Sequence, residues 1–235
     1  MFQFKQFAVD QSNCAMKINT DGVLLGALAG AGQPMDVLDI GTGTGVIALM
    51  LAQRFNSAQV DAVEIDEAAA ATAQNNFGNS KFAERLSVYP VGFESFFESH
   101  PYKKYDLIVS NPPFYINSLH SPGEKKQLAK HSDRTFFENL LIGIKLHLNP
   151  DGVCWLVLPL QTASLVEEMI STNNLHVQQI INICSFAERE PHRKIMAIGL
   201  NEAQTQETGF VIYKSENLHT QQYQQALKDF FIIFK

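Results

Sequence analysis

Asp39-Ile40-Gly41-Thr42-Gly43-Thr44-Gly45 is the stretch on which the fold turns. Asp36 to Ile40 reads as a buried strand, and Val46 to Phe55 carries the apolar stripe of a helix. Glycines at alternate positions let the backbone turn sharply from strand to helix and leave it open to close approach. The same alternation continues outward. Gln59 to Glu64 reads as a second strand, Ala68 to Phe77 as an alanine-rich helix, and Leu86 to Val91 as a third strand. Tyr105 to Ser110 is a fourth strand, ended by Asn111-Pro112-Pro113. Thr135 to Leu148 reads as a helix stopped by Asn149-Pro150-Asp151-Gly152; Val153 to Leu158 follows as a buried strand and Thr162 to Ser171 as a helix. Short strands alternating with helices predict an α/β fold, a doubly wound, mostly parallel sheet with helices on both faces.

The last third departs from that rhythm. Leu175 to Ile183, Ile195 to Leu200 and Phe210 to Tyr213 read as strands without full helices between them, which predicts antiparallel strands closing one edge of the sheet. Gln221 to Phe231 reads as a final helix. Residues 1–35 precede the first core strand and are expected to form an appendage, with a helix starting near Asn19-Thr20-Asp21-Gly22. At 235 residues and 46% hydrophobic, the chain can bury one sizeable core, so 1–235 is read as a single domain. The N-terminus has no signal-peptide pattern and no apolar run is long enough to span a bilayer, so a cytoplasmic protein without a membrane partner is expected. Cys14, Cys154 and Cys184 are scattered, without metal spacing, and read as reduced thiols; no metal is expected. The net charge of -6 disfavours a non-specific nucleic-acid binder, but a local basic face remains compatible with it.

Two further features bear on chemistry. The glycine spacing differs from the dinucleotide fingerprint, which argues against a nicotinamide dehydrogenase. An acid, Asp39, precedes the loop, and a second, Glu64, ends the next strand where a ribose-binding carboxylate is expected. Asp66 is read as a cap for the following helix. Asn111-Pro112-Pro113-Phe114 comes directly after the fourth strand. Two prolines remove two N–H donors. The Pro112 carbonyl and the Asn111 side-chain oxygen can then accept both hydrogens of a planar amine, while Phe114 offers a stacking face. Each motif alone also fits an ordinary turn. Together they fall at the carboxyl ends of neighbouring strands, where open α/β sheets bind ligands.

The alternating glycine loop with its two acids resembles the S-adenosylmethionine loop of Rossmann-like, class I methyltransferases, and the tetrapeptide resembles that of amino-group methyltransferases. The N-terminal run Phe2-Gln3-Phe4-Lys5-Gln6-Phe7, Gln11, Cys14-Ala15-Met16-Lys17 and Thr20-Asp21-Gly22-Val23-Leu24-Leu25-Gly26-Ala27 is similar to the bacterial tRNA(Val) adenine-37 N6-methyltransferase family. The resemblance spans nearly the whole chain and is weaker after Pro159. It implies methyl transfer from S-adenosylmethionine to the N6 amine of adenosine 37 in the anticodon loop of a valine tRNA. Asn111, Pro112, Pro113 and Phe114 would be the catalytic segment. Asp39, Gly41, Gly43, Gly45, Glu64 and Ile65 would hold the cofactor, with Thr20 and Asp21 as added contacts, and the 1–35 appendage would border the site. The contact to the cofactor's adenine amine is left open near Gly92 and Phe93, with Glu94 a displaced candidate.

A splayed-out loop base needs cations for its phosphates and rings for stacking. Lys17, Lys125, Lys126, Lys130, Arg134, Arg193 and Lys194 are the expected RNA contacts, the middle four on or beside a 115–134 flap. The flap cations are also readable, less favourably, as a solvated loop, and Arg193 and Lys194 equally well as part of a solvated turn. Phe2, Phe4 and Phe7 would stack on bases or, more ordinarily, fill core. A protein-glutamine methyltransferase and a guanine-amine methyltransferase of ribosomal RNA are the rival enzymes. Both usually carry a further domain for which the chain has no room. A non-catalytic cofactor-binding subunit is disfavoured by the intact tetrapeptide, and no obligate protein partner is evident.

Overall fold

The computed structural model describes residues 1–12, 16–30, 32–113 and 124–234, with 124–133 as helical backbone only. A short hairpin, β1 (Phe2–Gln3) and β2 (Ala8–Val9), leads to α1 (Thr20–Leu28). Then come β3 (Asp36–Ile40), α2 (Val46–Arg54), β4 (Gln59–Val63), α3 (Glu67–Gly78), β5 (Leu86–Tyr89), α4 (Phe93–Ser99) and β6 (Tyr105–Ser110). The chain continues through α5 (Glu124–His147), β7 (Leu148–Pro159), α6 (Leu160–Thr172), β8 (His176–Cys184), β9 (Arg193–Gly199) and β10 (Gln206–Val211). A small ladder of β11 (Tyr213–Ser215) and β12 (Leu218–His219) precedes α7 (Gln221–Leu227).

The main sheet has the order β10-β8-β9-β7-β6-β3-β4-β5. Pairing is parallel from β7 through β6, β3 and β4 to β5. Strand β9 runs against both of its neighbours, β7 and β8, and β10 is parallel to β8. The antiparallel character expected of the last third is therefore carried by β9, and the edge strand β10 runs with the core direction. The chain order reverses between β3 and β6, which places the sheet's switch point at their carboxyl ends.

Both faces of the sheet are covered. On one, Leu24, Leu25, Leu49, Met50, Val109, Trp155 and Val157 pack with α1, α2 and the C-terminal segment. On the other, Phe93, Phe96, Phe97, Phe137, Leu141 and Val166 pack from α4, α5 and α6. A parallel strand buried on both faces has to be apolar throughout, which is why Leu38, Ile40, Leu107, Ile108 and Val109 are all buried.

Several details differ from the expectations above. The 1–35 segment is not an outlying appendage: Phe4, Phe7, Val9 and three consecutive residues of α1, Val23, Leu24 and Leu25, belong to the core. Phe4 and Phe7 stack at 4.5 Å in the core, the more ordinary of the two readings expected of them. Helix α4 was not foreseen; its short Phe-Glu-Ser-Phe-Phe run buries three phenylalanines on one side. Helix α5 begins at Glu124, so the second half of the expected 115–134 flap is helical. Helix α5 ends at His147, before Asn149-Pro150-Asp151-Gly152 as expected, but that stretch lies within β7, where the pairing to β6 shifts register between Tyr105 and Leu107. Asp66 caps α3 as expected, its Oδ1 accepting from Ala69 N at 2.8 Å. No helix among the described residues is long and apolar enough to cross a membrane.

Candidate active site

Ile40 and Ser110 are opposite each other in the β3–β6 pairing, so Gly41 and Asn111 leave the sheet side by side. The Ser110 hydroxyl donates to the Ile40 carbonyl at 2.8 Å and locks the two strand ends together. This single register brings the glycine loop to the tetrapeptide.

The loop takes a form that its glycines alone permit. Gly41, Gly43 and Gly45 have φ of 72°, 56° and 82°. A Cβ on Gly43 would meet nothing within 4 Å, whereas one on Gly45 would lie 2.4 Å from the Phe77 ring. Gly43 thus keeps open space in front of the loop, and Gly45 allows α3 to pack behind it. The loop is tied at its base by Gly41 N and Thr42 N, both donating to the Val63 carbonyl.

Asp39 and Glu64 brace the loop from two sides. Asp39 is fully buried and its Oδ2 accepts from Thr42 Oγ1 at 2.6 Å and Ala48 N at 3.2 Å. It was expected to face the ligand; instead it turns these bonds inward on the loop and on the start of α2. Its Oδ1 is buried without a hydrogen-bond partner among the described residues. Burial pushes its carboxyl up from 3.8 to about 7; the bonds from Thr42 and Ala48 oppose that rise, and the Glu64 charge adds to it. Glu64 Oε2 accepts from Gly43 N and Oε1 from Asp66 N, each at 2.9 Å. Each oxygen retains a second lone pair for a ligand hydroxyl. Ile65, next in the chain, is 77% exposed, and its Cδ1 lies 3.5 Å from where a Gly92 side chain would begin. These two residues form an apolar platform beside the loop. Glu94 lies in the first turn of α4 with its carboxylate near Gly92.

Across the switch point stands Asn111. Its Oδ1 is buried and has no hydrogen-bond partner among the described residues. A buried amide oxygen without a donor costs free energy unless a ligand supplies one. The amide nitrogen of Asn111 rests against Gly22 of α1, where a Cβ would come within 3.6 Å. Pro112 is buried and Pro113 exposed, while Phe114 lies outside the described residues.

The expected RNA contacts fare unevenly. Arg193 Nε donates to Asp21 Oδ2 at 2.8 Å, so a residue read as an RNA contact and one read as a cofactor contact are partners in an ion pair. Lys194 Nζ pairs with Glu167 at 2.7 Å. Arg193 lies opposite Pro159 at the carboxyl end of β7, on the same edge of the sheet as Asn111. Neither cation stands as the open charge that was expected. Arg134 pairs with Glu138 one helical turn away, on an exposed face. Lys17 and Thr20 are exposed beside the start of α1. The side chains of Lys125, Lys126 and Lys130 lie outside the described residues.

Asn76 of α3 is a residue that sequence reading missed. Its amide bonds the backbone of both Asp10 and Thr44 although it is almost wholly buried. A polar residue in an otherwise alanine-rich buried face was the available signal. A separate cavity of about 630 Å³, lined by Gly30, Asp106, Trp155, Gln179 and Gln206 among others, opens at the amino ends of the strands, away from this site.

Comparison with known proteins agrees with this layout. Residues 19–180 match the methyltransferase small domain. A protein of Pedobacter heparinus named tRNA1(Val) (adenine(37)-N6)-methyltransferase is 46% identical over 233 residues, covering 99% of this chain and 98% of its own. The chain belongs to that methyltransferase family. A Flavobacterium psychrophilum member of the same name is 38% identical, with 99% of each chain covered. Among solved structures, one described as a predicted O-methyltransferase from Agrobacterium tumefaciens superposes with a TM-score of 0.66 at 16% identity. It covers 86% of this chain and 92% of its own, and supports the class I methyltransferase fold alone.

Proposed function

We propose that this family member transfers a methyl group from S-adenosylmethionine to the exocyclic N6 amine of an adenosine in tRNA, adenosine 37 of a valine tRNA being the intended site. The observation that carries the reading is the buried, donorless Oδ1 of Asn111 one register step from the glycine loop.

The residues present fit the cofactor. Gly41 and Gly43 leave open space in front of the loop, Glu64 keeps lone pairs for a ribose, and Ile65 with Gly92 offers an apolar face for an adenine ring. When bound, S-adenosylmethionine supplies an electrophilic methyl group on a sulfonium.

The chain's own residues handle the acceptor. An adenine amine is a poor nucleophile because its lone pair is delocalised into the ring. Asn111 Oδ1 accepts one of its hydrogens and the Pro112 carbonyl the other. That favours a more tetrahedral nitrogen whose lone pair is aimed rather than delocalised. The amine becomes acidic only as the new N–C bond forms, so its proton leaves along one of these hydrogen bonds to water and no strong general base is required. Phe114 would stack on the base. Lys17, Arg134 and the lysines 125, 126 and 130 would meet the RNA backbone. Arg193, held by Asp21, would wall the acceptor side of the site.

The test is single-turnover transfer of labelled methyl to unmodified tRNA, followed by nucleoside digestion. N6-methyladenosine is the expected product. Methylated guanosine, or methylated glutamine in a protein, as the main product would overturn the adenine assignment.

A further inference from the structure

Asn76 has no part in binding or chemistry as described, yet this buried amide makes three hydrogen bonds to backbone. Its Oδ1 accepts from Asp10 N at 2.8 Å, and its Nδ2 donates to Asp10 O and to Thr44 O, both at 2.9 Å. The side chain therefore grips the backbone of Asp10 as a neighbouring strand would, and with its remaining hydrogen it holds the cofactor loop between Gly43 and Gly45. Next in the chain, Gln11 Oε1 accepts from Ile18 N at 2.9 Å and draws the two described ends of this segment together. Asn19 then caps α1, accepting from Gly22 N at 2.9 Å, and Gly22 abuts the Asn111 amide. A continuous path of hydrogen bonds and contact runs from Thr44 on the cofactor side to Asn111 on the acceptor side.

A free backbone segment would not be fixed this way by packing alone. Residues 11, 12, 16 and 17 are partly or fully exposed, so packing holds them little and the hydrogen bonds at Asp10 and Ile18 are among their described ties. Methyl transfer is sensitive to the relative placement of donor and acceptor, where a misplacement of about 1 Å costs rate steeply.

We propose that Asn76 and Gln11 are positioning residues that hold the backbone of residues 10–11 and 18–22 against the cofactor loop and Asn111, so that the two halves of the reaction are aligned by one strap of hydrogen bonds. The proposal rests on the methyltransferase reading. Neither residue touches the reacting atoms; both act through the backbone they hold.

Two variants separate this role from mere stability. Asn76→Asp keeps an acceptor for Asp10 N but turns an acceptor toward the carbonyls of Asp10 and Thr44. Gln11→Ala removes the bond to Ile18 N at a partly exposed position, where folding has little to lose. Gln11→Glu keeps that acceptor. Hydrogen exchange read by mass spectrometry should show faster exchange around residue 10 in Asn76→Asp and around residue 18 in Gln11→Ala. S-adenosylhomocysteine should protect both regions in the wild type and in Gln11→Glu, and protect them less in the two disrupting variants. At saturating tRNA and methyl donor, both disrupting variants should lose about 10-fold in single-turnover rate, and Gln11→Glu should restore it. If Gln11→Ala, folded and with its melting temperature unchanged, exchanges and turns over like the wild type, the strap is not a positioning device. Should Asn76→Asp fail to fold, the Gln11 pair still decides. Should the wild type make no methyladenosine, the substrate assignment fails, while the exchange measurements continue to report on the strap.

Discussion

Around the glycine loop, Asp39 Oδ2 and both Glu64 oxygens find partners nearby in the chain. Asp39 is bonded to Thr42 and Ala48, and Glu64 to Asp66 and Gly43, the longest of these spans being 21 residues. At the acceptor side, Arg193 reaches Asp21 across 172 residues, and Asn111 Oδ1 has no described partner at all. The first region is braced by its own bonds, with Asp39 Oδ1 alone of these carboxylate oxygens left without a described partner; the second presents the Asn111 oxygen to an incoming donor. A binding loop for a small cofactor gains from being preformed, since little ordering is then left to bind it. A site for a flipped base must keep an acceptor free, because any internal donor would compete with the substrate's amine.

Removing the open acceptor should have the largest effect. Asn111→Ala is expected to lower the single-turnover rate by roughly 100- to 1000-fold, as for other preorganised transition-state partners, with cofactor affinity little changed. Asn111→Asp retains an acceptor and should keep part of the activity. If Asn111→Ala instead weakens cofactor binding in calorimetry and leaves the rate per bound enzyme intact, the two regions do not divide their work in this way.

The loop region makes a different prediction, about pH. Asp39 has its carboxyl raised by burial from 3.8 to about 7. A carboxyl raised on folding contributes stability that is present below the unfolded value and is lost as pH rises to the folded one. Wild-type stability should therefore fall between about pH 4 and 7 relative to Asp39→Asn, by about 1 kcal/mol per pH unit, and the gap should stay constant above that window. Asparagine preserves the acceptor for Thr42 and Ala48. Parallel denaturation midpoints for the two proteins across this range would show that Asp39 is ionised throughout.

Two glycines of the same loop sharpen the contrast further. Gly45→Ala combines a left-handed backbone with a clash on the buried Phe77 ring, and should cost roughly 2 kcal/mol of stability by denaturant titration. Gly43→Ala has the backbone cost but no clash, so it should lose less stability and more cofactor affinity. Equal loss of stability in both would show that the space before Gly43 is not reserved for a ligand.

How much of this was readable from sequence follows the same division. The loop could be read because glycine spacing and strand-end acids are local features, and the nearness of the two strand ends follows from the order of strands in a doubly wound sheet. The reach of Asn76 to Asp10, the Arg193–Asp21 pair and the packing of the N-terminal segment were not readable, because each joins residues far apart in the chain through a side chain whose type allows many partners. The inward bonds of Asp39 Oδ2 were not readable for a related reason: an acid beside a ligand loop and an acid beneath it have the same spacing. Helix α4 escaped because seven residues with three phenylalanines fit a strand or a loop as well.

The smallest expected effect tests whether pairing has removed cations from the RNA surface. Lys194 lies on β9 with its ammonium against Glu167, and its side chain is 20% exposed. A cation already neutralised and mostly covered releases few counterions when RNA arrives. Lys194→Ala should therefore lower the slope of log affinity against log salt by less than about one unit, and weaken tRNA binding by less than about 3-fold. Replacing Lys125, Lys126 and Lys130 together should flatten the slope by up to about three units if they meet phosphates. Filter binding at several salt concentrations measures both. A Lys194→Ala slope change as large as that of the triple variant would mean that the Glu167 pair opens on RNA and that β9 is part of the docking face. The reverse result, a triple variant with the wild-type slope, would move the phosphate contacts off the start of α5 toward Lys17 and the N-terminal segment.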